Sequence, residues 1–223
     1  MSNKTYRLCA LPVLCAIPLV CALSCTDSPP RIQNVRFKAV FDYSSLDEPP
    51  EYYALLFVQP EAESRAASVT LIHTESGYIW NITEPVQLIA GGSTWIGSPR
   101  LIADSEAFPQ GQYTVRYTDT SEREIETSVT LSYSSNLAES SAAQARSNIP
   151  ASFQQQIAVY DERENLLFFG EKKQNWTYWS DIHKEIADAR FYRECFTASG
   201  YSCIVMLPLG DIDSQEVINS APD

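Results

Sequence analysis

The sequence predicts a mainly β protein, with an antiparallel β-sandwich followed by a small α+β unit of strand, strand, helix and strand. Short segments of alternating apolar and polar residues predict the strands, because a half-buried strand has a period of two. Proline, glycine and acidic residues separate these segments, as turns do. Residues 134–152 are rich in serine and alanine and break the pattern, and helical spacing follows only after them.

The first predicted strands form two groups. Residues 35–43 alternate apolar with charged side chains, whereas residues 52–58 are apolar on both faces, as in a central strand. Residues 69–73 and 78–82 flank a Thr-Glu-Ser-Gly sequence. This sequence predicts a hairpin turn in which Gly77 adopts a positive φ.

Two later segments form the clearest pair of strands. Residues 112–118 alternate Tyr and Val with Thr and Arg, and residues 124–133 keep their apolar side chains on one face. The polar residues 119–123 connect them. Before this pair, Gly91-Gly92-Ser93 lacks the lysine and the spacing of a phosphate-binding loop, so it is interpreted as a loop between strands.

Residues 108–113 (Phe-Pro-Gln-Gly-Gln-Tyr) place a Pro-x-Gly turn just before Tyr113. The sequence resembles the tyrosine corner of fibronectin type III and immunoglobulin-like domains, and the resemblance covers about residues 33–134. It implies an immunoglobulin-like sandwich in which the Tyr113 phenol hydrogen-bonds a nearby backbone group and Trp80 is a core aromatic. No disulfide joins the two sheets, because residues 33–134 contain no cysteine.

The chain after residue 134 divides into three parts. Residues 135–152 are interpreted as a linker or a short helix, since Asn136 and Glu139 have the spacing of a capping box. Residues 211–223 are interpreted as an acidic, frayed tail. The α+β unit, residues 153–210, contains in order a hairpin (155–160 and 166–170), a helix capped by Ser180 that ends near Glu194, and a buried strand (202–207).

Residues 1–24 have the pattern of a signal peptide. Lys4 and Arg7 give a positive start, and residues 8–23 are nearly all apolar but contain Pro12 and Pro18. This apolar stretch falls short of the roughly 20 residues that a membrane-spanning helix needs. Prolines inside it further disfavour such a helix.

Small residues at the third and first positions before Cys25, Ala22 and Ser24, fit a signal-peptidase site, whereas bulky residues precede Cys9, Cys15 and Cys21. The sequence Ala-Leu-Ser-Cys resembles a bacterial lipobox of the relaxed kind seen in spirochaete lipoproteins, although Ala22 stands where the usual box has Leu. The resemblance implies a lipid such as palmitate on Cys25, which anchors the protein in a membrane of the cell envelope. Residues 25–32 then form a tether.

The cysteine count favours this interpretation. After cleavage Cys25, Cys195 and Cys203 remain, and lipidation of Cys25 leaves one pair. We therefore hypothesise a disulfide between Cys195 and Cys203, with two buried free thiols as the alternative. For the N-terminus, an ordinary secretory signal cut at the same bond and an uncleaved anchor remain the alternatives.

The charge of the chain argues against anionic partners. Loss of Lys4 and Arg7 with the signal changes the formal net charge from −12 to −14. Such acidity argues against binding to nucleic acid or to an anionic lipid surface, because phosphates need Lys and Arg.

Residues suited to catalysis are scattered in the sequence. His73 and His183 fall in different predicted units, and neither has the neighbours that a metal site or a catalytic triad requires. The carboxylates of residues 161–164 and of Asp211 and Asp213 do not match a calcium loop. We therefore expect no cofactor and no metal, although a pair of distant carboxylates of the glycosidase kind remains an alternative.

One aromatic group is a candidate binding site. Trp176, Tyr178 and Trp179 either present stacked rings to a sugar or peptide, or pack beneath the predicted helix. The sequence thus predicts non-catalytic binding or scaffolding in the cell envelope, with an envelope protein or a glycan as the partner. The alternative is an envelope hydrolase. Convergent carboxylates of raised pKa would favour the hydrolase, and an aromatic patch on a sheet edge would favour binding.

Overall fold

The structure, a computed structural model, describes residues 30–61, 66–103, 107–149, 152–197, 202–213 and 218. Most of the described residues lie in strands. In chain order the elements are β1 (Ile32–Asp42), β2 (Glu51–Pro60), β3 (Ala66–His73), β4 (Ile79–Ile82), β5 (Val86–Ala90), β6 (Ser93–Leu101), β7 (Gly111–Asp119), β8 (Glu124–Leu131), α1 (Ser135–Glu139), α2 (Ala142–Asn148), β9 (Gln154–Tyr160), β10 (Leu166–Glu171), a 3₁₀ helix (Trp179–Lys184), β11 (Phe191–Thr197), β12 (Cys203–Met206) and β13 (Gly210–Asp211).

The first eight strands form a two-sheet sandwich. One sheet has the order β4-β3-β7-β8, and the second includes the run β1-β2-β6-β5. Lettered in chain order, these are the C′-C-F-G and A-B-E-D sheets of an immunoglobulin-like fold. The predicted fold class, a mainly β sandwich with a small helical part, is therefore confirmed.

The core between the sheets comes from the alternation in the sequence. Leu56 and Val58 of β2 face Leu71 of β3 and Val115 of β7, and all four are buried. Burial of an aliphatic side chain of this size contributes about 1.5–3 kcal/mol relative to exposure. The alternating residues on the opposite face are polar, mostly half-buried in β7 and exposed in β8.

The tyrosine corner is present. The Tyr113 hydroxyl donates to the carbonyl oxygen of Pro109 at 2.5 Å, and its ring packs edge-on against Phe37. Trp80 is buried against Phe108, and its indole N–H donates to the carbonyl of Ile102 at 2.8 Å. These contacts fix the crossing between the sheets at the start of β7.

Two hairpin turns depend on glycine. Gly77 adopts φ 69° between β3 and β4, as the sequence predicts. Gly91 and Gly92, at φ 59° and 74°, form the two-residue turn between β5 and β6, a conformation that suits the twist of paired strands. The sequence indicated the loop but not β5, whose residues are all exposed and do not alternate in burial.

The C-terminal strands continue the larger sheet. β12 pairs in parallel with β1, and the sheet then runs through β11 and β9 to β10. The expected division into a sandwich at 33–134 and a separate α+β unit at 153–210 is thus corrected. A hydrogen-bonded ladder crosses the boundary and makes one sheet of both.

Within the predicted linker 135–152, the described residues 135–149 form a packed connection rather than a free linker. α1 and α2 bury Leu137, Ala142 and Ala145 in the main core. The capping box lies at Ser141 and Gln144 of α2, not at Asn136 and Glu139. Burial of these apolar residues explains why a Ser/Ala-rich stretch orders here.

The buried carboxylate of Glu194 joins this connection to the sheet. It accepts hydrogen bonds from Arg146 of α2 at 3.0 Å and from Gln155 of β9 at 2.6 Å. Loss of either hydrogen bond would leave the buried carboxylate of Glu194 with an unfavourable, less compensated charge. These contacts therefore hold α2 in place against the sheet.

The predicted helix at 180–194 is wrong beyond its first turn. Only Trp179–Lys184 is helical, of the 3₁₀ type, and residues from Phe191 onward form β11. β11 lies between β9 and β12, so its backbone groups are satisfied by two ladders. Tertiary pairing overrides the capping signal at Ser180 and Asp181.

The C-terminal residues form part of a second core. Ile212 and Ile218 are buried there together with Ile157, Val159 and Ile182, so the expectation of a frayed tail is wrong at these positions. In the described part of the chain, no helix has the length and the apolar content needed to cross a membrane.

Candidate binding surface

The predicted lipidation site, Cys25, lies outside the described residues, as does the whole predicted signal peptide. Described structure begins at residue 30, and β1 begins at Ile32. The lipid anchor therefore remains a prediction from the sequence.

The hypothesised disulfide between Cys195 and Cys203 does not form. Cys195 pairs with Met206 across the β11–β12 ladder, and Cys203 lies three residues before Met206. This offset puts the two Cα atoms about 11 Å apart, with their side chains on opposite faces of the sheet. A disulfide needs about 4.4–6.8 Å, so the alternative of two free thiols holds.

Both thiols behave as small apolar side chains. Burial raises the pKa of Cys195 to about 12 and that of Cys203 to about 11. A thiol with such a pKa is protonated at neutral pH and is a poor nucleophile.

Two of the three candidate stacking aromatics are inside the protein. Trp176 packs edge-on against Phe168 of β10, and Trp179 lies parallel to Tyr192 of β11 with 3.4 Å between ring centroids. Both tryptophans are buried in the second core, whereas Tyr178 is 44% exposed. The interpretation as a stacking platform is corrected, because these rings cover the sheet instead of facing a ligand.

Asp181 explains the path of the segment. Its carboxylate accepts a hydrogen bond from the Lys184 ammonium at 2.6 Å and from the backbone N–H groups of Thr177 and Tyr178 at 2.9 Å. These bonds, that of Lys184 foremost, lower the pKa of Asp181 to about 2. The turn that they fix directs Trp176 and Trp179 into the core.

The exposed apolar surface lies beside this core, on the edge strand β10. Leu166 is 57% exposed, Leu167 39% and Phe169 52%. Leu166 and Phe169 pair with Tyr160 and Ala158 of β9. We call Leu166, Leu167 and Phe169 the β10 edge surface. Among the described strands only β9 pairs with β10, so one row of its backbone groups faces outward.

A polar hollow of about 390 Å³ opens between the β9–β10 turn and the residues before β11. In that turn, Asp161 accepts from the backbone N–H groups of Arg163 and Asn165, both at 2.8 Å, and from the Asn165 side chain at 2.9 Å. These bonds, with that from the Asn165 side chain first, lower the pKa of Asp161. The carboxylate is thus used to shape the turn.

His183 and Asp213 form the second polar group of this region. His183 Nε2 lies 3.0 Å from Asp213 Oδ1, and Arg190 binds both Asp213 and Asp211. The hydrogen bond to His183 and then that from Arg190 lower the pKa of Asp213. Among the described residues, no group of three His, Cys, Asp or Glu is placed to hold a metal ion.

His73 has a structural position. Its Nδ1 lies 2.7 Å from the Ser76 hydroxyl in the β3–β4 turn, and its Nε2 lies 3.3 Å from the carbonyl oxygen of Gln110. Both ring nitrogens are therefore engaged, and the buried ring joins that turn to the tyrosine corner.

Comparison with protein-family models, with curated proteins and with solved structures finds no match to this chain.

The sequence interpretation missed the exposed apolar edges. Residues 166–169 are four apolar residues in succession, and residues 85–99 contain no charged side chain at all. Both runs are unusual for exposed strands, which natural proteins commonly protect with charge. These two runs were the signals that could have indicated the surfaces.

Proposed function

We propose that the protein is a lipid-anchored protein of the cell envelope with a non-catalytic binding or scaffolding role. The small residues before Cys25 and the apolar segment preceding them support the anchor. Only residues 26–31 separate Cys25 from β1, and six residues span at most about 20 Å. The sandwich therefore stays near the membrane, on the periplasmic face of either membrane or at the cell surface.

The observation that carries the binding role is the β10 edge surface. Unpaired backbone groups of an edge strand accept an extended segment as an additional strand, and apolar side chains beside them add contact area. Leu166, Leu167 and Phe169 supply that apolar area. An extended apolar segment of an envelope protein is the partner that fits. A glycan is less well supported, because Trp176 and Trp179 are buried.

An envelope hydrolase is the competing hypothesis. A general acid acting near neutral pH needs a carboxyl group whose pKa is raised. The pKa of Asp161, which lines the polar hollow, is instead lowered, and so is the pKa of Asp213, which binds Arg190 at the edge of the hollow. These carboxylates suit turns and ion pairs, which supports the binding role.

The test is photo-crosslinking in intact cells. A photoreactive side chain at Phe169 should give a cross-link to an envelope protein, and the same side chain at Ile102, which is 61% exposed, serves as the control. Phe169→Glu should abolish the corresponding native complex in membrane extracts. Equal cross-linking at both positions, or a complex that survives Phe169→Glu, would contradict the binding role of β10.

A further inference from the structure

The hairpin of β5 and β6 exposes apolar side chains that the proposed function leaves unused. Val86 is 48% exposed, Leu88 44% and Ile89 78%. Residues 85–99 contain no charged side chain, although one residue in five of the whole chain is charged. A contiguous exposed apolar patch of this kind marks a site of contact with a protein or a membrane.

The turn of the hairpin lies at the same end of the larger sheet as the start of β1. Val35, Val58 and Ile96 lie in one row across β1, β2 and β6. Ile32 and Ser93 each lie three residues from this row, towards the same end of the sheet. The Gly91-Gly92 turn therefore projects at the end where β1 begins.

The distance across the sheet between β1 and the hairpin is also short. β6 is two strands away from β1 in the sheet, which corresponds to about 10 Å, and β5 is the next strand. A lipid on Cys25, at most about 20 Å before β1, would thus hold a bilayer within reach of the hairpin turn.

From this placement we infer that the β5–β6 hairpin is a second membrane contact, which inserts Leu88 and Ile89 into the interface of the bilayer to which Cys25 is anchored. The inference rests on the proposed lipid anchor for its orientation. Burial of Leu88 and Ile89 in the bilayer interface would add to the membrane affinity that the lipid on Cys25 supplies.

The lipid surface involved is an uncharged one. The β7–β8 turn, with Glu122 and Glu124, lies at the same end of the other sheet, where Ala66 pairs with Asp119. Anionic headgroups would repel these carboxylates, so the hairpin binds by apolar insertion rather than by charge. Binding should therefore depend little on salt.

The test uses the chain from residue 25 with Cys25→Ser, which contains every described residue and carries no lipid. Sedimentation with phosphatidylcholine vesicles should show binding that Ile89→Asp weakens at least about tenfold. Ile102→Asp is the matched control, because Ile102 is 61% exposed and follows the opposite end of β6. This variant should bind as the parent does, and added phosphatidylglycerol should not strengthen binding.

A second measurement reports on the hairpin directly. An environment-sensitive dye on Ile89→Cys should shift to shorter wavelength with vesicles, whereas the dye on Ile102→Cys should not. Cys195 and Cys203 are buried, so they stay unlabelled in the folded protein.

Three results would overturn the inference. These are vesicle binding that Ile89→Asp leaves unchanged, binding that appears only with phosphatidylglycerol, and a dimer without vesicles that Ile89→Asp dissociates. The last result would assign the hairpin to a second copy of the chain. Failure of the lipid anchor is distinguishable, because palmitate uptake at Cys25 is measured on the wild-type chain in cells.

Discussion

Replacing Tyr113 with Phe removes one hydroxyl from the tyrosine corner and leaves the ring in place. The ring keeps its edge-on contact with Phe37 at 4.8 Å, so the apolar packing is unchanged. The loss is the hydrogen bond to Pro109, and the carbonyl of Pro109 is left without this donor. A net hydrogen bond contributes about 0.5–1.5 kcal/mol, and an acceptor left without its donor at this partly buried position adds to the cost.

We therefore expect Tyr113→Phe to lower the free energy of unfolding by about 1–2 kcal/mol, which corresponds to a few degrees in Tm for a chain of this size. Urea unfolding measures the difference, with the slope unchanged. Tyr160→Phe is the control, because the Tyr160 hydroxyl has no hydrogen-bond partner among the described residues. A loss below about 0.3 kcal/mol for Tyr113→Phe, or an equal loss for both variants, would refute the reasoning.

Three further predictions concern the C-terminal half. Leu137→Ala should lower the free energy of unfolding by about 2–4 kcal/mol, because Leu137 of α1 packs in the main core. Unfolding should remain a single transition. Proteolysis within residues 134–152 that releases a stable fragment would contradict this. Cys195 and Cys203 should both be alkylated in unreduced, denatured protein and neither in folded protein, as mass spectrometry detects. Asp181 has a lowered pKa of about 2, so its stabilisation is complete above its ordinary pKa near 3.8 and is lost as pH falls towards 2. Asp181→Asn should therefore reduce the pH dependence of unfolding between pH 4 and pH 2.

The sandwich could be predicted because its strands are half-buried. β1 and β7 alternate apolar and polar residues, and the residues before Tyr113 indicated the corner that the structure contains. β5 could not be found in this way, since all five of its residues are exposed and no face of it is covered. Periodicity detects a strand only when one face is buried.

The C-terminal half was predicted less well because long-range pairing decides it. Ser180 and Asp181 are true helix-start signals, and a 3₁₀ turn forms there. From Phe191 onward, however, the chain forms β11, which pairs with both β9 and β12. The spacing of Cys195 and Cys203 allowed a disulfide, whereas the register of β11 and β12 separates the two residues. Register depends on the whole sheet and cannot be read from the residues between the cysteines.

Burial of the aromatic group depends on a local contact. Trp176 and Trp179 face the sheet because the Asp181 carboxylate fixes the turn between them, a contact that local sequence spacing does not reveal. The candidate binding surface is therefore β10, where Leu166, Leu167 and Phe169 are exposed.

The lipid anchor is tested most directly by metabolic labelling with radioactive palmitate, followed by separation of membranes from soluble protein. The wild-type chain should take up label and sediment with membranes, Cys25→Ser should lose both properties, and Cys21→Ser, which lies after the bulky Val20, should retain them. A wild-type chain without label, together with a Cys25→Ser variant that remains in the membrane fraction, would contradict the account.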